Sequence, residues 1–312
     1  MKKTIELQAI VQVLNILIPL AIGMAARRTR LSEPVFEVID RVVLWLMFPA
    51  LVFSSIASRT LGIIISFGNI IVLAFLGLGA CVILSVLSST LIDLDRKTTI
   101  AIVLNASFMN VTYLGLPMVY IIMGRAGLMP ATFYAMAVGI LHLTFGTILS
   151  ASAKKKRVNL KSVVEGVLTF PPAFALIASL IFVAFKARPP DEVFGILDYI
   201  AAPSSFLMLL LVGYQLRLVE PKKYALPLTI VGIIRFFVCP VITFVGIMLL
   251  GPGLVELRKS AMIQSSMPPA IFNLILAKKF GLDLKLYGAL VFYLTFVSIF
   301  LVVPFVLTLM PF

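Results

Sequence analysis

Acidic residues are scarce in this chain, 13 Asp and Glu against 26 Lys and Arg, while histidine occurs once and cysteine twice. Each shortage closes off some chemistry. Cys81 and Cys239 both lie inside apolar runs, so no structural disulfide is expected, and no Cys/His spacing suits a metal. Packing is the ordinary role of such thiols. Neither HExxH nor GxSxG occurs, so a membrane enzyme has no catalytic constellation to work with and no cofactor is expected. The basic residues sit in short stretches between apolar runs and form no face with interleaved aromatics, which argues against a nucleic-acid partner despite a net charge of +13.

Charge of either sign is itself rare, at 12% of residues, whereas 61% are hydrophobic and the mean hydropathy is +1.14. A soluble domain is about half apolar and a quarter charged. The lipid bilayer is therefore the expected solvent. A helical crossing takes about 20 apolar residues, and polar breaks divide the chain into runs at 7–26, 35–57, 67–91, 98–123, 128–151, 168–187, 193–216, 225–250, 258–277 and 286–310. We number these spans 1 to 10. The first begins like a signal peptide but lacks a small-x-small cleavage site, and is read as a retained span.

The loops on one side of such a bundle hold Arg27, Arg28, Arg30, Arg96, Lys97, Lys154 to Arg157, Lys161, Arg217, Lys222, Lys223, Lys278, Lys279 and Lys285. The other side holds half as many cations. The positive-inside bias places the richer side in the cytoplasm and both termini outside the cell membrane.

The basic cluster near Lys155 separates two blocks of five spans, 1–152 and 153–312. Fixed-offset self-similarity is the mark of repeats. HLTFGTI at 142–148 matches YLTFVSI at 293–299, an offset of 151 that also lays Pro117 on Pro268 and Gly115 on Ser266. With an odd number of spans per copy, the second copy enters the membrane inverted. Inverted repeats are the build of many secondary transporters, with the substrate near the midplane at the repeat interface. The expected fold is all-α, about ten spans in two inverted five-helix repeats.

Two spans are interrupted at corresponding places. Span 4 contains Asn105, Asn110, Thr112, Gly115 and Pro117; span 9 contains Gln264, Ser265, Ser266, Pro268, Pro269 and Asn273. Proline removes an amide donor and clashes with the carbonyl four residues back. Backbone freed at membrane depth survives only where protein or a watery cavity satisfies it. A broken helix offers half-helix amino termini, whose free amides attract anions. These eleven residues are the candidate substrate site, weighed against ordinary kinks and packing polar groups.

NVTYLGLPM (110–118), QSSMPPAIFNLILAKKFGLDL (264–284), IIRFFVCP (233–240) and FPALVFSSI (48–56) resemble motifs of the auxin efflux carrier family. The likeness covers almost the whole chain, its specific motifs being those of spans 4 and 9. The chain departs from the plant carriers in having no long central loop and in having Met109 where their pattern puts a proline. The resemblance implies crossed, broken spans 4 and 9, a scaffold of spans 1, 2, 6 and 7, and a transport unit of spans 3–5 and 8–10 moving by an elevator-type exchange. It implies small organic anions as substrates, such as indole-acetate, malate or malonate, with Asn110 as the carboxylate's donor. A homodimer through the scaffold spans is left open.

Ionisable groups within spans are functional candidates by default. Arg235 in span 8 is expected either to attract the anion or to bind carbonyls at a broken helix. His142 in span 5 is either a neutral hydrogen-bonded group or a proton carrier. Asp40 and Arg41 are assigned a solvated role at the start of span 2, and Asn15, Tyr214 and Gln215 are candidates for the scaffold side of the site. No acid lies at the centre of spans 3, 4, 5, 8, 9 or 10, which disfavours paired-aspartate cation exchange. The competing readings are a sodium-coupled bile-acid-type symporter and a receptor of the same fold that binds without transporting.

Single cysteines placed between Lys154 and Arg157 are expected to react with an impermeant maleimide only from the cytoplasm. Labelling of intact cells from outside would reverse the orientation.

Overall fold

A computed structural model of the chain describes residues 2–29, 32–154, 160–250 and 254–309. Arg30 and the cations Lys155, Lys156 and Arg157 lie outside the described residues. Among those described there is no strand, and the architecture is all-helical. Among the described residues five helices are long and apolar enough to cross a membrane: Leu61–Leu91, Arg125–Ser152, Asp191–Gln215, Lys222–Leu250 and Leu284–Thr308. Val11–Ala26, Val111–Met123 and Pro171–Ala184 are shorter apolar helices.

Chain chemistry sets the boundaries. Asp95 accepts the amides of Lys97 and Thr98 at 2.9 and 3.2 Å and starts the helix Arg96–Ser107. Asp283 does the same for Lys285 and Leu286 ahead of Leu284–Val297. Both satisfy amides that a helix start leaves orphaned. Gly124, at φ +66°, makes the turn into Arg125–Leu141, a conformation that costs glycine nothing.

Helix boundaries in the two halves of the chain fall at a spacing other than 151. The cap residues Asp95 and Leu254 are 159 residues apart, as are Gly124 and Asp283; the helix ends Ser107 and Ser265 are 158 apart. These spacings exceed 151 by seven or eight residues, about two helical turns of 3.6 residues. Pro117 lies beyond the interruption at Phe108–Asn110. It sits in the first turn of Leu116–Met123, where a missing amide is harmless.

Helices pack in two groups. Lys2–Ala26 lies along Ser204–Gln215, and Phe48–Ala57 along Pro171–Ala184. Gly68–Leu91 packs on Arg96–Ser107, Arg125–Leu141 and Cys239–Leu250, and Val255–Ser265 packs on Arg125–Leu141. Cys81 and Cys239 are buried free thiols within the second group. In the first group two glycines bring backbones into contact: a Cβ on Gly23 would meet the Leu210 carbonyl oxygen at 2.1 Å, and one on Gly213 would meet the Leu20 carbonyl oxygen at 2.1 Å. Small residues at helix interfaces allow such an approach in membranes.

Gly213→Val should force the two helices apart and cost on the order of 3 kcal/mol or more, the upper range for overpacking. Monodisperse yield in detergent is expected to collapse, and an unchanged melting temperature would show that the contact is looser than described.

Candidate functional site

Helices Arg96–Ser107 and Val255–Ser265 end facing one another at a crossing. The extended segments beyond them pair like two residues of a sheet. Asn110 N–H donates to the Pro268 carbonyl at 2.8 Å, Ala270 N–H donates to the Phe108 carbonyl at 2.9 Å, and Met109 bridges Pro269. Two prolines in sequence cannot donate, so Pro268 and Pro269 leave the segment only its carbonyls and the Ala270 amide for pairing. The chains then restart as helices at Val111 and near Ile271.

Arg235 holds the other side of the crossing. Its side chain is fully buried, on a π-helical turn at Ile234–Val238 that carries it toward the helix ends. Nη1 donates to the carbonyls of Ala106 and Ser107 at 2.8 and 3.3 Å, and Nη2 to that of Ser265 at 2.9 Å. One guanidinium thus binds the carboxyl ends of both half-helices, where the helix dipole is negative and the last carbonyls lack amide partners. No carboxylate pairs with it among the described residues. Of the two roles open to Arg235, the observed contacts are those with carbonyls.

Most of the polar residues of spans 9 and 4 are spent in the same way. Gln264 Nε2 donates to the carbonyls of Val111 and Ala131, both at 3.2 Å, bracing one half-helix against the next. Gly115 makes room for it, since a Cβ there would lie 2.1 Å from Gln264 Oε1. Ser265 and Ser266 bond back to the Met262 carbonyl, and Ser298 donates to the Ser266 carbonyl at 2.8 Å. Asn273 Nδ2 donates to the Leu104 carbonyl and to Asn105 Oδ1, both at 3.2 Å. Its Oδ1 lies 2.8 Å from His142 Nε2. Because the Asn273 amide is already donating, its oxygen must accept, which assigns the imidazole proton to Nε2. The His142 ring also stacks on Phe108 at 4.3 Å.

On the amino-terminal side of the breaks lies a cavity of about 230 Å³. Its walls include Asn110, Val111, Thr112 and Tyr113 from one half-helix start, and Ala270, Ile271 and Phe272 from the other. Asn110 is 4% exposed, and its Nδ2 has no partner. This is an unsatisfied donor at the start of a helix, beside a void. Of the residues singled out in the sequence, Asn110, Thr112, His142 and Gln215 line the cavity. Asn105, Gly115, Pro117, Gln264, Ser265, Ser266, Pro268, Pro269 and Asn273 do not; except for Pro117, which lies in the helix beyond, they build the crossing behind it. Asn15 is exposed on the outside of the first helix.

Asp40 needs correction. Instead of a solvated acid it is a half-buried cavity residue, and Tyr113 donates its hydroxyl to Oδ1 at 2.6 Å. Tyr113 and Phe170, also in the wall, were not singled out either. The signal for Asp40 was its place inside an apolar run, and the amphipathic turn Ser32–Val42 disguised it as surface.

The family model described as "Membrane transport protein" matches residues 8–307. An uncharacterized transporter of Methanocaldococcus jannaschii is 25% identical over 283 residues, covering 87% of this chain and 89% of the relative. An uncharacterized transporter of Methanothermobacter thermautotrophicus is 25% identical over 280 residues, covering 86% and 87%.

Arg235→Met removes three hydrogen bonds and leaves buried carbonyls unpaired, so it should cost about 3 kcal/mol or more in stability. Arg235→Lys keeps a charge but not the planar fork that reaches two helix ends, and an intermediate loss is expected. Thermal unfolding in detergent checks both, and wild-type stability in the Met variant would remove Arg235 from this role.

Proposed function

The chain belongs to the membrane transport protein family, the auxin efflux carrier group that its motifs resemble, and from that premise we propose that it is a secondary transporter of small organic anions. One observation carries the reading: a cavity bounded by the starts of two half-helices, with the unpartnered Nδ2 of Asn110 in its wall. Helix starts present amides and partial positive charge. A carboxylate placed there would accept from Asn110 and from first-turn amides without a buried cation. The Asp40 carboxylate opposes a second negative charge in the same space, and the Tyr113 hydroxyl bound to it tempers that opposition.

The proposed architecture is ten spans in two inverted repeats, the second beginning near residue 153. Spans 1, 2, 6 and 7 form the scaffold, and spans 3–5 and 8–10 carry the site past it. In support, the polar contacts between the two groups are few and breakable. Arg125 pairs with Asp198 at 2.6 Å, Gln12 donates to the Ile121 carbonyl at 3.2 Å, and Tyr113 donates to Asp40. The first two lie on the face opposite Asp40 and join the two groups there, on what the charge bias makes the extracellular side of the cell membrane.

Purified protein in liposomes should take up at least one of labelled malate, malonate or indole-acetate. Asn110→Ala should weaken binding of that substrate by about 1 to 3 kcal/mol, the cost of leaving a charged group short of a hydrogen bond. The double variant Pro268→Ala/Pro269→Ala restores two backbone donors and should abolish transport while membrane insertion survives. Saturable binding without flux would make the protein a receptor, and wild-type affinity in folded Asn110→Ala would move the site elsewhere.

A further inference from the structure

Three separate segments each deliver one cation to a second cavity, of about 320 Å³: Arg27 follows the first helix, Arg217 follows Ser204–Gln215, and Lys278 lies in the last turn of Phe272–Phe280. Among the described residues no acidic one lines it. Arg27 is half-buried and fixed in place, with Nη1 donating to the Leu216 carbonyl at 3.0 Å. Burial and the positive field of Arg217 hold its pKa below the ordinary arginine value. Among the described residues none of the three cations has an ion-pair partner. The nearby acids are otherwise placed. Asp283 caps the helix at Leu284 through Oδ1, and Glu220 lines a neighbouring pocket with Lys223 and Lys285.

Uncompensated like charges gathered around a concavity repel one another, and an anion seated between them relieves that repulsion. The position matters as much as the charge. Gln215 and Ile275 line both this cavity and the one containing Asn110, so the two share a wall. Lys278 ends the same half-helix whose first residues line the Asn110 cavity.

We propose that the Arg27, Arg217 and Lys278 cavity is a second anion site, a vestibule that binds small dianions ahead of the Asn110 cavity. Two guanidiniums and an ammonium offer more donors than one carboxylate can accept, so doubly charged oxyanions are favoured over singly charged ones. The Asn110 cavity, with one free side-chain donor and an acid in its wall, gives no such preference. The vestibule therefore sets the charge selectivity of what arrives. Its order ahead of the Asn110 cavity rests on the transport reading, whereas its occupancy by an anion does not.

The test is a titration of the full-length protein in detergent with succinate, sulfate and acetate, read by calorimetry. Succinate and sulfate are expected to bind at least about tenfold more tightly than acetate and to weaken steeply with added chloride, as screened charges require. Binding should persist in Asn110→Ala and fall about tenfold or more in Arg27→Gln/Arg217→Gln, each tenfold step being a loss of about 1.4 kcal/mol. Lys278→Gln, at an exposed position, gives the same direction of change without risk to folding. Equal affinity for acetate and succinate, or unchanged succinate binding in both sets of variants, overturns the proposal. An anionic lipid headgroup offers the same chemistry, so the titration is repeated in nanodiscs of phosphatidylcholine and of phosphatidylglycerol. Succinate binding in the first supports a soluble ligand, and succinate binding abolished in both overturns it. Succinate bound at the vestibule but no carboxylate carried across liposomes would refute the transport reading and leave this site standing.

Discussion

The structure depends on one guanidinium bound to two helix ends. A polypeptide that breaks two helices inside a membrane leaves carbonyls at two carboxyl ends and amides at two amino ends, with no water to receive them. Arg235 answers the carbonyls of both breaks at once. The short antiparallel pairing of Phe108 to Asn110 with Pro268 to Ala270 answers the backbone between them. The Asn110 cavity lies against the two restarting helices. The crossing thus sorts polar groups by sign, acceptors tied to a fixed cation on one side and the unpartnered Asn110 Nδ2 beside a void on the other.

That sorting explains how far the residues could be read without a structure. Pro268, Pro269 and the polar cluster around Asn110 declare the breaks, because no continuous apolar span tolerates them. Their division of labour was not legible. Gln264, Ser265, Ser266, Asn105 and Asn273 have the side chains of a binding site, yet each bonds to nearby backbone or to one another. A broken membrane helix consumes amides and hydroxyls in repairing itself, and in sequence a repair residue looks the same as a ligand residue. Asp40 failed in the opposite direction, since a charge near a helix start reads as solvent-facing until Tyr113 is seen to reach it.

The two sets of basic residues divided by the charge count separate in space. Arg27, Arg217 and Lys278 come together at one mouth, while Arg59, Arg125 and Arg188 line a cavity at the other. The second set shares its cavity with Asp191 and Asp198, which pair with Arg188 and Arg125. Among the described residues no acid lines the first. An anion arriving at the two mouths thus meets different fields, one partly neutralised and one not.

The glycine contact between the first helix and Ser204–Gln215 has a mechanical meaning. Gly23 and Gly213 sit against carbonyl oxygens of the opposite helix with no side chain between them. A shift of about one turn along either axis would bring Leu20 or Arg27 to the place of Gly23, or Leu209 or Leu216 to that of Gly213, so these helices are keyed against shear. In the proposed transport cycle this pair would be the fixed part, and the helices that Arg235 ties together the part that moves.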